Sequence, residues 1–237
     1  MKKILILGDN GMLGNLLVRL FDDEYQITTT KHRYPSNEFK ELIMNYSGDF
    51  IVNCIGAIPQ KTKDFSINTT LPVFLEKNSN VNIIHPSTDC EGDNTEYGLS
   101  KEIATEWLLK YGKKTKIIKS SIIGIENETN YSLLSWVISQ KNNIDGYVDA
   151  KWNGITTLEW GKQCKKLIEN WDNSNLYNIL ITDCISKYEL LTEIKSVFKL
   201  DFEITPINNI GKNKCLTGVK LNNIKNQLID LKIFYKL

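Results

Sequence analysis

The sequence has few of the residues from which metal sites and disulfide frameworks are built. Its 237 residues include two histidines, His32 and His85, and five cysteines that form no C-x-x-C pair: Cys54, Cys90, Cys164, Cys184 and Cys215. Two histidines are too few for a multi-histidine metal site, and the cysteine spacing does not fit structural zinc, so we expect no metal. An odd cysteine count also argues against a disulfide framework and favours a reducing compartment, which makes the expected location cytoplasmic.

Long apolar runs and an excess of charge of one sign are also lacking. The apolar run after Lys2 and Lys3 stops at Gly8, which is too short for a secretory signal, and no later segment approaches the length of a membrane span. The 29 basic and 28 acidic residues give a formal net charge of +1. This balance argues against a broad electrostatic footprint, so neither nucleic acid nor membrane is expected as a partner.

Apolar runs and helical patterns alternate along the first half of the chain. Short runs rich in Ile and Leu, such as "KKILILG", are typical of strands buried on both faces, and "GMLGNLLVRLF" has the apolar spacing of a helix. The alternation extends from residue 3 to about 124 and predicts an α/β fold with a doubly wound parallel sheet. The looser pattern after Gly124 predicts a smaller C-terminal α/β lobe. The tail fits either an amphipathic helix or a poorly ordered end.

Three glycines follow the first predicted strand, as G-x-x-G-x-x-G at the start of a predicted helix. Glycines at this place permit a tight turn and a close approach of the backbone to a pyrophosphate, whose charge the helix N-terminus stabilises. A structural turn is the alternative, but the position after the first strand favours a Rossmann cofactor loop. Its candidate cofactor-binding residues are Gly8, Asn10, Gly11, Met12, Leu13 and Gly14.

The end of the second predicted strand, "TTTKHR", bears on the choice of cofactor. NAD-binding folds usually place an Asp or Glu about 20 residues past the glycines, where it binds the ribose 2′-hydroxyl. This stretch has no carboxylate and carries Lys31 and Arg33 instead. The two cations favour the 2′-phosphate of NADP(H) over NAD(H). The alternative is that both are solvated surface charges.

A tyrosine and a lysine lie four residues apart at the start of a later predicted helix. This spacing places Tyr97 and Lys101 on one helix face. A neighbouring ammonium group lowers the pKa of a phenol, and such a phenol can donate a proton to a carbonyl oxygen as hydride reaches its carbon. Thr88, at the end of the fourth predicted strand, offers a second hydroxyl to the same oxygen. A surface pair is the alternative, but the preceding cofactor loop favours catalysis.

Taken in order, the motifs resemble the extended short-chain dehydrogenase/reductase family, and in particular its dTDP-4-dehydrorhamnose reductase-like branch, which acts on nucleotide sugars. The resemblance rests on "GDNGMLG", "IVNCIGAI", "INTTLP", "PSTDC", "YGLSKEIATE" and "KSSIIG", with weaker matches to about residue 205. The ordered set is more specific than any single piece. The chain departs from the family in its tail and in the stretch between Asp89 and Tyr97, which is unusually short.

The resemblance implies a Thr–Tyr–Lys triad at Thr88, Tyr97 and Lys101, with Tyr97 and Lys101 also contacting NADP(H). It implies that residues 1–124 form an NADP-binding Rossmann domain and residues 125–237 a nucleotide-sugar-binding lobe, packed as one compact unit in a monomer or homodimer. Further cofactor contacts are implied at Asn53, Ile55, Gly56, Asn68, Ser120 and Ser121.

Substrate contacts are expected at Thr88, Asp89, Cys90, Trp136 and Trp152. The two tryptophans offer faces on which a base or sugar can stack, and packing is an equal alternative for them. His85, next to Pro86 near this site, is interpreted as a structural histidine.

Cys90 follows Thr88 by two residues, and relatives with this spacing, such as GDP-fucose synthase, epimerise a keto sugar before reducing it. The ketone acidifies the protons on its neighbouring carbons, and a thiol at the sugar face can exchange one of them. Those relatives pair the cysteine with a Lys or His, and the corresponding stretch here offers neither before Lys141. A small residue packing at a strand end is the alternative.

The "STDC" turn resembles that of relatives acting on UDP-2-acetamido-2,6-dideoxy-4-ketohexoses. The resemblance therefore implies 4-reduction coupled to 3-epimerisation, in synthesis of a 6-deoxy-L-sugar nucleotide of the UDP-L-rhamnosamine type. Two alternatives stay open: a dTDP-4-dehydrorhamnose reductase without epimerase activity, and a non-catalytic cofactor-binding regulatory subunit. The presence of both Tyr97 and Lys101 argues against the second.

Overall fold

A computed structural model describes residues 1–127, 129–172, 177–208, 211 and 213–237. It divides into two compact units. The first comprises Met1–Lys119 and Gln163–Asn178, and the second comprises Ser120–Lys162 and Ile179–Leu237. Residues 163–178 thus belong to the first unit although they follow much of the second in the chain. No helix within the described residues is long and apolar enough to cross a membrane.

The described helices and strands follow the predicted alternation. The strands are β1 (Lys3–Leu7), β2 (Gln26–Thr28), β3 (Phe50–Asn53), β4 (Asn82–Ser87), β5 (Thr115–Lys119), β6 (Ile122–Ile123), β7 (Ile144–Tyr147), β8 (Lys151–Trp152), β9 (Ile155–Thr156), β10 (Tyr177–Ile181), β11 (Ile185–Ser186), β12 (Ile204–Ile207) and β13 (Val219–Lys220). The helices are α1 (Met12–Phe21), α2 (Asn37–Asn45), α3 (Ser66–Asn78), α4 (Glu96–Tyr111), α5 (Leu133–Ser139), α6 (Thr157–Glu169), α7 (Lys187–Phe198) and α8 (Ile224–Tyr235).

The main sheet confirms the predicted fold class. Its seven strands have the order β13-β10-β5-β4-β3-β1-β2, and the described pairings within it are parallel. Strands β1 and β3 are almost wholly buried, as their continuous apolar runs predict. Because parallel strands present their carboxyl ends at one edge, the loops after β1, β2, β3 and β4 all leave the sheet on the side where α/β folds bind ligands.

Local signals place the helices that carry the candidate site. Helix α2 begins after Ser36, whose side chain accepts a hydrogen bond from the backbone N–H of Phe39, as serine commonly does at a helix N-cap. Helix α3 continues through Pro72. Helix α4 begins after Thr95, whose hydroxyl accepts from the N–H of Gly98, so Tyr97 lies in the first helical turn.

The described part of the second unit contains three small two-stranded pairings. Strand β6 pairs with β9 and β7 with β12 in parallel, whereas β8 and β11 are antiparallel. The run "TKIIKSSIIG" predicts a single strand over residues 115–124, but it forms two strands, since β5 ends at Lys119 and β6 pairs with β9. The apolar run "LYNILI" also predicts a strand and corresponds to β10, with Leu176 outside the described residues. The tail forms helix α8, capped by Asn223, which decides between the two alternatives for it.

The cysteine pattern led to one wrong prediction. Cys184 and Cys215 form a disulfide in the second unit, although they are 31 residues apart and showed no pairing signal in the sequence. The tertiary structure brings them together because β11, which follows Cys184, pairs with β8, and the segment containing Cys215 is hydrogen-bonded to the same region through Asn153 and Lys151. Cys54, Cys90 and Cys164 take no part in a disulfide.

Candidate active site

The glycine turn after β1 has the backbone geometry of a phosphate cradle. Gly8 has a φ of +82°, and a Cβ at Gly14 would lie 2.2 Å from the carbonyl oxygen of Gly8. Both positions therefore require glycine. Gly11 precedes the first turn of α1 and offers no side-chain cap, so backbone N–H groups at this helix start point towards the loop. Of the other predicted contacts, Asn10 is exposed, Met12 is half-buried and Leu13 is buried.

The stretch after β2 places Lys31 and Arg33 at the surface. Both side chains are exposed. The carbonyl of Arg33 accepts a 2.8 Å hydrogen bond from the N–H of Ser36, which fixes the backbone just before α2. Two exposed cations after the second strand lie where the sequence predicted them, and their exposure fits both a 2′-phosphate site and a solvated surface.

The loop after β3 is held by two buried amide side chains. Oδ1 of Asn53 accepts from the N–H of Ile55 at 3.1 Å. Asn68, on α3, accepts from the N–H of Ala57 at 2.8 Å and donates to its carbonyl at 3.0 Å. A Cβ at Gly56 would lie 3.3 Å from Oδ1 of Asn68 and 3.4 Å from Nζ of Lys101. The structure thus brings Gly56, Asn68 and Lys101 together.

The three residues of the predicted triad lie in the first unit. Thr88 lies close enough to the Tyr97 phenol to lower its pKa. Lys101 lies one helical turn further along α4 and is only 8% exposed. Burial lowers the pKa of Lys101 to about 8, against the charges of Glu91 and Cys54, which raise it. The lysine is therefore an ammonium group at neutral pH and loses its proton under mildly alkaline conditions.

The predicted lowering of the Tyr97 pKa is wrong for this structure. Burial raises it to about 12, and Cys90, Asp89 and Glu91 add to the increase, whereas the hydrogen bond from Thr88 opposes it. Desolvation disfavours the phenolate more strongly than nearby groups favour it. The consequence is that Tyr97 is a neutral phenol throughout the physiological range and has a proton to donate.

The turn after β4 orders the groups around Thr88. The N–H of Cys90 donates to Oγ1 of Thr88 at 3.2 Å, and Oγ1 donates to Oδ1 of Asp89 at 3.2 Å. Sγ of Cys90 lies 3.9 Å from the same carboxylate oxygen, and the thiol donates towards it. Oδ1 of Asp89 therefore accepts from both the Thr88 hydroxyl and the Cys90 thiol.

Glu91 is a buried carboxylate that the sequence interpretation missed. Its side chain is 5% exposed, and Oε2 accepts from Nζ of Lys119 at 2.7 Å. Oε1 accepts hydrogen bonds from the hydroxyls of Ser87 and Thr105. The Tyr177 hydroxyl donates to Oε2 at 3.4 Å. The only signal in the sequence is the lysine that ends the apolar run "TKIIK", since a cation in a buried strand implies a partner.

His85 lies on β4 and is buried inside the sheet. It is 1% exposed, and its Nδ1 lies 3.1 Å from Nδ2 of Asn53 on the neighbouring strand. Burial and then the charge of Lys101 hold the pKa of His85 well below its ordinary value of 6.5. A neutral, hydrogen-bonded histidine between two strands supports the structural interpretation.

The remaining predicted residues belong to the second unit. Ser120 is buried and donates to the carbonyl of Leu180 at 2.8 Å, and the carbonyl of Ser121 accepts from the N–H of Ile155. Trp136 is 38% exposed, whereas Trp152 is 1% exposed and lies under the ammonium group of Lys187. The burial of Trp152 favours packing over stacking, and Trp136 keeps an accessible face.

Comparison with known proteins identifies the fold. No family model matches the chain, and no curated protein matches its sequence. Among solved structures, dTDP-4-dehydrorhamnose reductase from Bacillus anthracis, in complex with NADP, has a TM-score of 0.83 at 16% identity and covers 98% of this chain and 99% of its own. GDP-mannoheptose C4 reductase from Campylobacter jejuni, with NADP bound, has a TM-score of 0.71 at 11% identity, with coverages of 100% and 98%.

A third solved structure shows that this fold does not by itself determine the reaction. dTDP-glucose 4,6-dehydratase from Bacillus anthracis, in complex with NAD, has a TM-score of 0.73 at 13% identity and covers 100% of this chain and 97% of its own. At identities this low, the likeness establishes a shared Rossmann-type fold and nothing about the reaction. Since the fold carries both reductases and a dehydratase, the chemistry must be argued from the side chains.

Proposed function

We propose that the protein is an NADPH-dependent reductase of a nucleotide-linked 4-keto-6-deoxyhexose. The observation that carries the proposal is Tyr97 in the first turn of α4, with Thr88 close enough to lower its pKa and a buried Lys101 one turn away. The glycine turn of the same unit supplies the dinucleotide site that such a reaction needs. The solved reductases of the same fold, which contain NADP, support this assignment.

The residues present fit a nicotinamide dinucleotide. The backbone is packed so closely at Gly8 and Gly14 that a Cβ would meet neighbouring backbone atoms, which fits the tight turn of a dinucleotide loop, and the start of α1 offers N–H donors for the pyrophosphate. The loop of Asn53, Ile55 and Gly56 would line the rest of the site, with Asn68 fixing that loop. Lys31 and Arg33 would hold the 2′-phosphate, which selects NADPH over NADH.

The chain's own residues would activate the carbonyl. Thr88 and Tyr97 would both donate to the C4 oxygen, and Tyr97 would transfer its proton as negative charge develops there. Bound NADPH supplies the hydride. The ammonium group of Lys101 would hydrogen-bond the nicotinamide ribose and stabilise the tyrosinate left after proton transfer. The high pKa of Tyr97 in the protein without substrate supports its role as the acid, because the phenol carries its proton at the start of each turnover.

We further infer that the substrate is a UDP-2-acetamido-2,6-dideoxy-4-ketohexose and that C3 epimerisation precedes reduction. The support is the position of Cys90, whose thiol lies in the same turn as Thr88 and beside the carboxylate of Asp89. The C4 ketone acidifies the C3 proton. A Cys90 thiolate would take that proton and leave an enolate, and a proton from solvent would then reach the opposite face of C3.

The second unit would bind the sugar nucleotide, with Trp136 as the candidate stacking residue. We propose that the cofactor function belongs to the first unit and the substrate function largely to the second. This division of labour follows the family resemblance. A Trp136→Leu variant with a raised KM for the sugar nucleotide and an unchanged KM for NADPH would support it.

Turnover with a panel of keto sugars tests the proposal. Purified protein is incubated with NADPH and UDP- or dTDP-linked 4-keto-6-deoxyhexoses, and oxidation is followed at 340 nm while NMR identifies the product. Tyr97→Phe should lose roughly 10²- to 10⁴-fold in kcat. Reduction of the dTDP sugar alone, without C3 exchange, would favour the simple reductase. NADPH binding without turnover of any sugar would favour the regulatory subunit.

A further inference from the structure

The short segment between Thr88 and Tyr97 begins with a turn whose last residue, Glu91, carries a buried carboxylate. Both oxygens of Glu91 are occupied: Oε1 by Ser87 and Thr105, and Oε2 by Lys119 and Tyr177. These partners come from β4, α4, β5 and β10. A side chain on a loop that reaches four separate elements fixes that loop more firmly than a solvated side chain can.

The turn that Glu91 holds in place carries the candidate reacting groups. Cys90 immediately precedes Glu91, and its N–H is bonded to the Thr88 hydroxyl. The N–H of Asp93 closes the turn onto the carbonyl of Cys90 at 3.1 Å. A shift of Glu91 would therefore move the Thr88 hydroxyl and the Cys90 thiol together, and displacements of an ångström at reacting groups have large effects on rate.

We propose that Glu91 is the positioning residue of this site, tying the turn that carries Thr88 and Cys90 to β4, α4, β5 and β10. The inference rests on the proposed reductase function. It assigns to this short loop an internal support that takes the place of a longer segment. Glu91 touches neither substrate nor cofactor in this account and acts through the residues that it holds.

A charge buried at this point also acts on Lys101. The described titratable groups that influence Lys101, or that it influences, are Glu91 in the turn, Cys54 after β3 and His85 on β4. Among them, Glu91 makes the larger contribution that favours the ammonium form. Loss of its charge should therefore move the titration of Lys101 to lower pH. Loss of a glutamate that only stabilises the fold elsewhere, such as Glu76, would leave that titration in place.

The test compares Glu91→Gln with a matched control, Glu76→Gln. Glu76 is a second buried glutamate of the same unit, and it accepts hydrogen bonds from Thr115 and from the backbone of Lys113 and Lys114. We expect Glu91→Gln to lose at least tenfold in kcat with little change in the KM for NADPH, and to lose activity at lower pH than wild type. Glu76→Gln should melt at a lower temperature with an unchanged pH profile.

A double variant that removes the charges of both Glu91 and Lys119 separates an effect on the positioning of the turn from an effect on folding stability. Glu91→Gln alone leaves the Lys119 ammonium buried without its partner, which destabilises proteins, whereas replacing both members of a buried pair is often tolerated. The double variant Glu91→Gln/Lys119→Met should regain thermal stability but not kcat. Recovery of wild-type kcat and pH profile in the double variant would overturn the proposal.

A measurement independent of turnover distinguishes this inference from the proposed function. Lysine labelled with ¹³C at Cε is followed by NMR from pH 6 to 10, with the Lys101 signal assigned from a Lys101→Arg sample. A lower midpoint in Glu91→Gln than in wild type and Glu76→Gln supports the proposal, and an equal midpoint contradicts it. If wild type reduces no keto sugar, the reductase proposal fails while the titration still decides the role of Glu91.

Discussion

The N–H of Cys90 donates a 3.2 Å hydrogen bond to Oγ1 of Thr88, so the thiol and the hydroxyl are fixed relative to one another by a single turn. Thr88 also lowers the pKa of the Tyr97 phenol, against the larger effect of burial. Thr88 thus acts on both the candidate acid of the reduction and the candidate thiol of an epimerisation.

Cys90→Ser should separate the two reactions. With a UDP-2-acetamido-2,6-dideoxy-4-ketohexose in D₂O, the variant should lose at least tenfold in deuterium uptake at C3, since a serine hydroxyl is a far weaker acid than a thiol. Reduction of a sugar that already has the product configuration at C3 should persist. NMR of the recovered sugar measures the uptake. Unchanged uptake in the variant would remove Cys90 from the mechanism.

The reductase activity should fall as the pH rises through about 8. The pKa of Lys101 is lowered by burial to about 8, so the ammonium form is present below that pH and is lost above it. With a single essential proton, kcat/KM should drop about tenfold per pH unit above the midpoint. Tyr97, with a pKa of about 12, stays protonated over the same range. Profiles recorded from pH 6 to 10 check this, and a Lys101→Arg variant should show no fall near 8.

The choice of cofactor should depend on two exposed cations. The double variant Lys31→Ala/Arg33→Ala should raise the KM for NADPH by roughly 100-fold or more, because two charge-assisted hydrogen bonds to a phosphate at about 1.5–3 kcal/mol each contribute about 3–6 kcal/mol together. The KM for NADH should change little. Lys110→Ala, which removes an exposed lysine near the end of α4, serves as the control. Equal losses with both cofactors would show that the cations do not recognise the 2′-phosphate.

Stability should fall on mild acidification because of His85. Its folded-state pKa is depressed, so below pH 6.5 the unfolded chain binds a proton that the folded chain does not. The free energy of unfolding should then decrease by up to about 1.4 kcal/mol per pH unit from this group, until the folded pKa is reached. Urea unfolding at pH 7.5, 6.5 and 5.5 measures the slope. His85→Gln should flatten it, whereas His32→Gln, at an exposed position, should not.

Much of the fold was predictable because its signals are local. Short apolar runs predicted the buried parallel strands, and Ser36 and Gly112, which are residue types typical of helix caps, lie at the start of α2 and the end of α4. The failures lie where distant segments meet. The strand predicted over residues 115–124 divides at Lys119 because β6 finds its partner in β9, and no local pattern encodes that choice.

The candidate site shows the same contrast. The sequence by itself determined which residues are the candidates for chemistry: the glycines, Thr88, Tyr97 and Lys101 from their type and spacing, and Cys90 from the family resemblance. Only the tertiary structure decided their electrostatic state. Burial raises the pKa of Tyr97 where the neighbouring lysine alone would lower it, and it lowers that of Lys101.

The tertiary structure also decided the long-range pairs. The disulfide between Cys184 and Cys215 joins residues 31 positions apart. The ion pair between Glu91 and Lys119 joins residues 28 positions apart. Sequence spacing reports on contacts within a turn of helix or along a strand, whereas desolvation and long-range pairing depend on every element that closes around a group. That is why composition and motifs named the chemical groups of this protein, and only the folded chain set their charges and their partners.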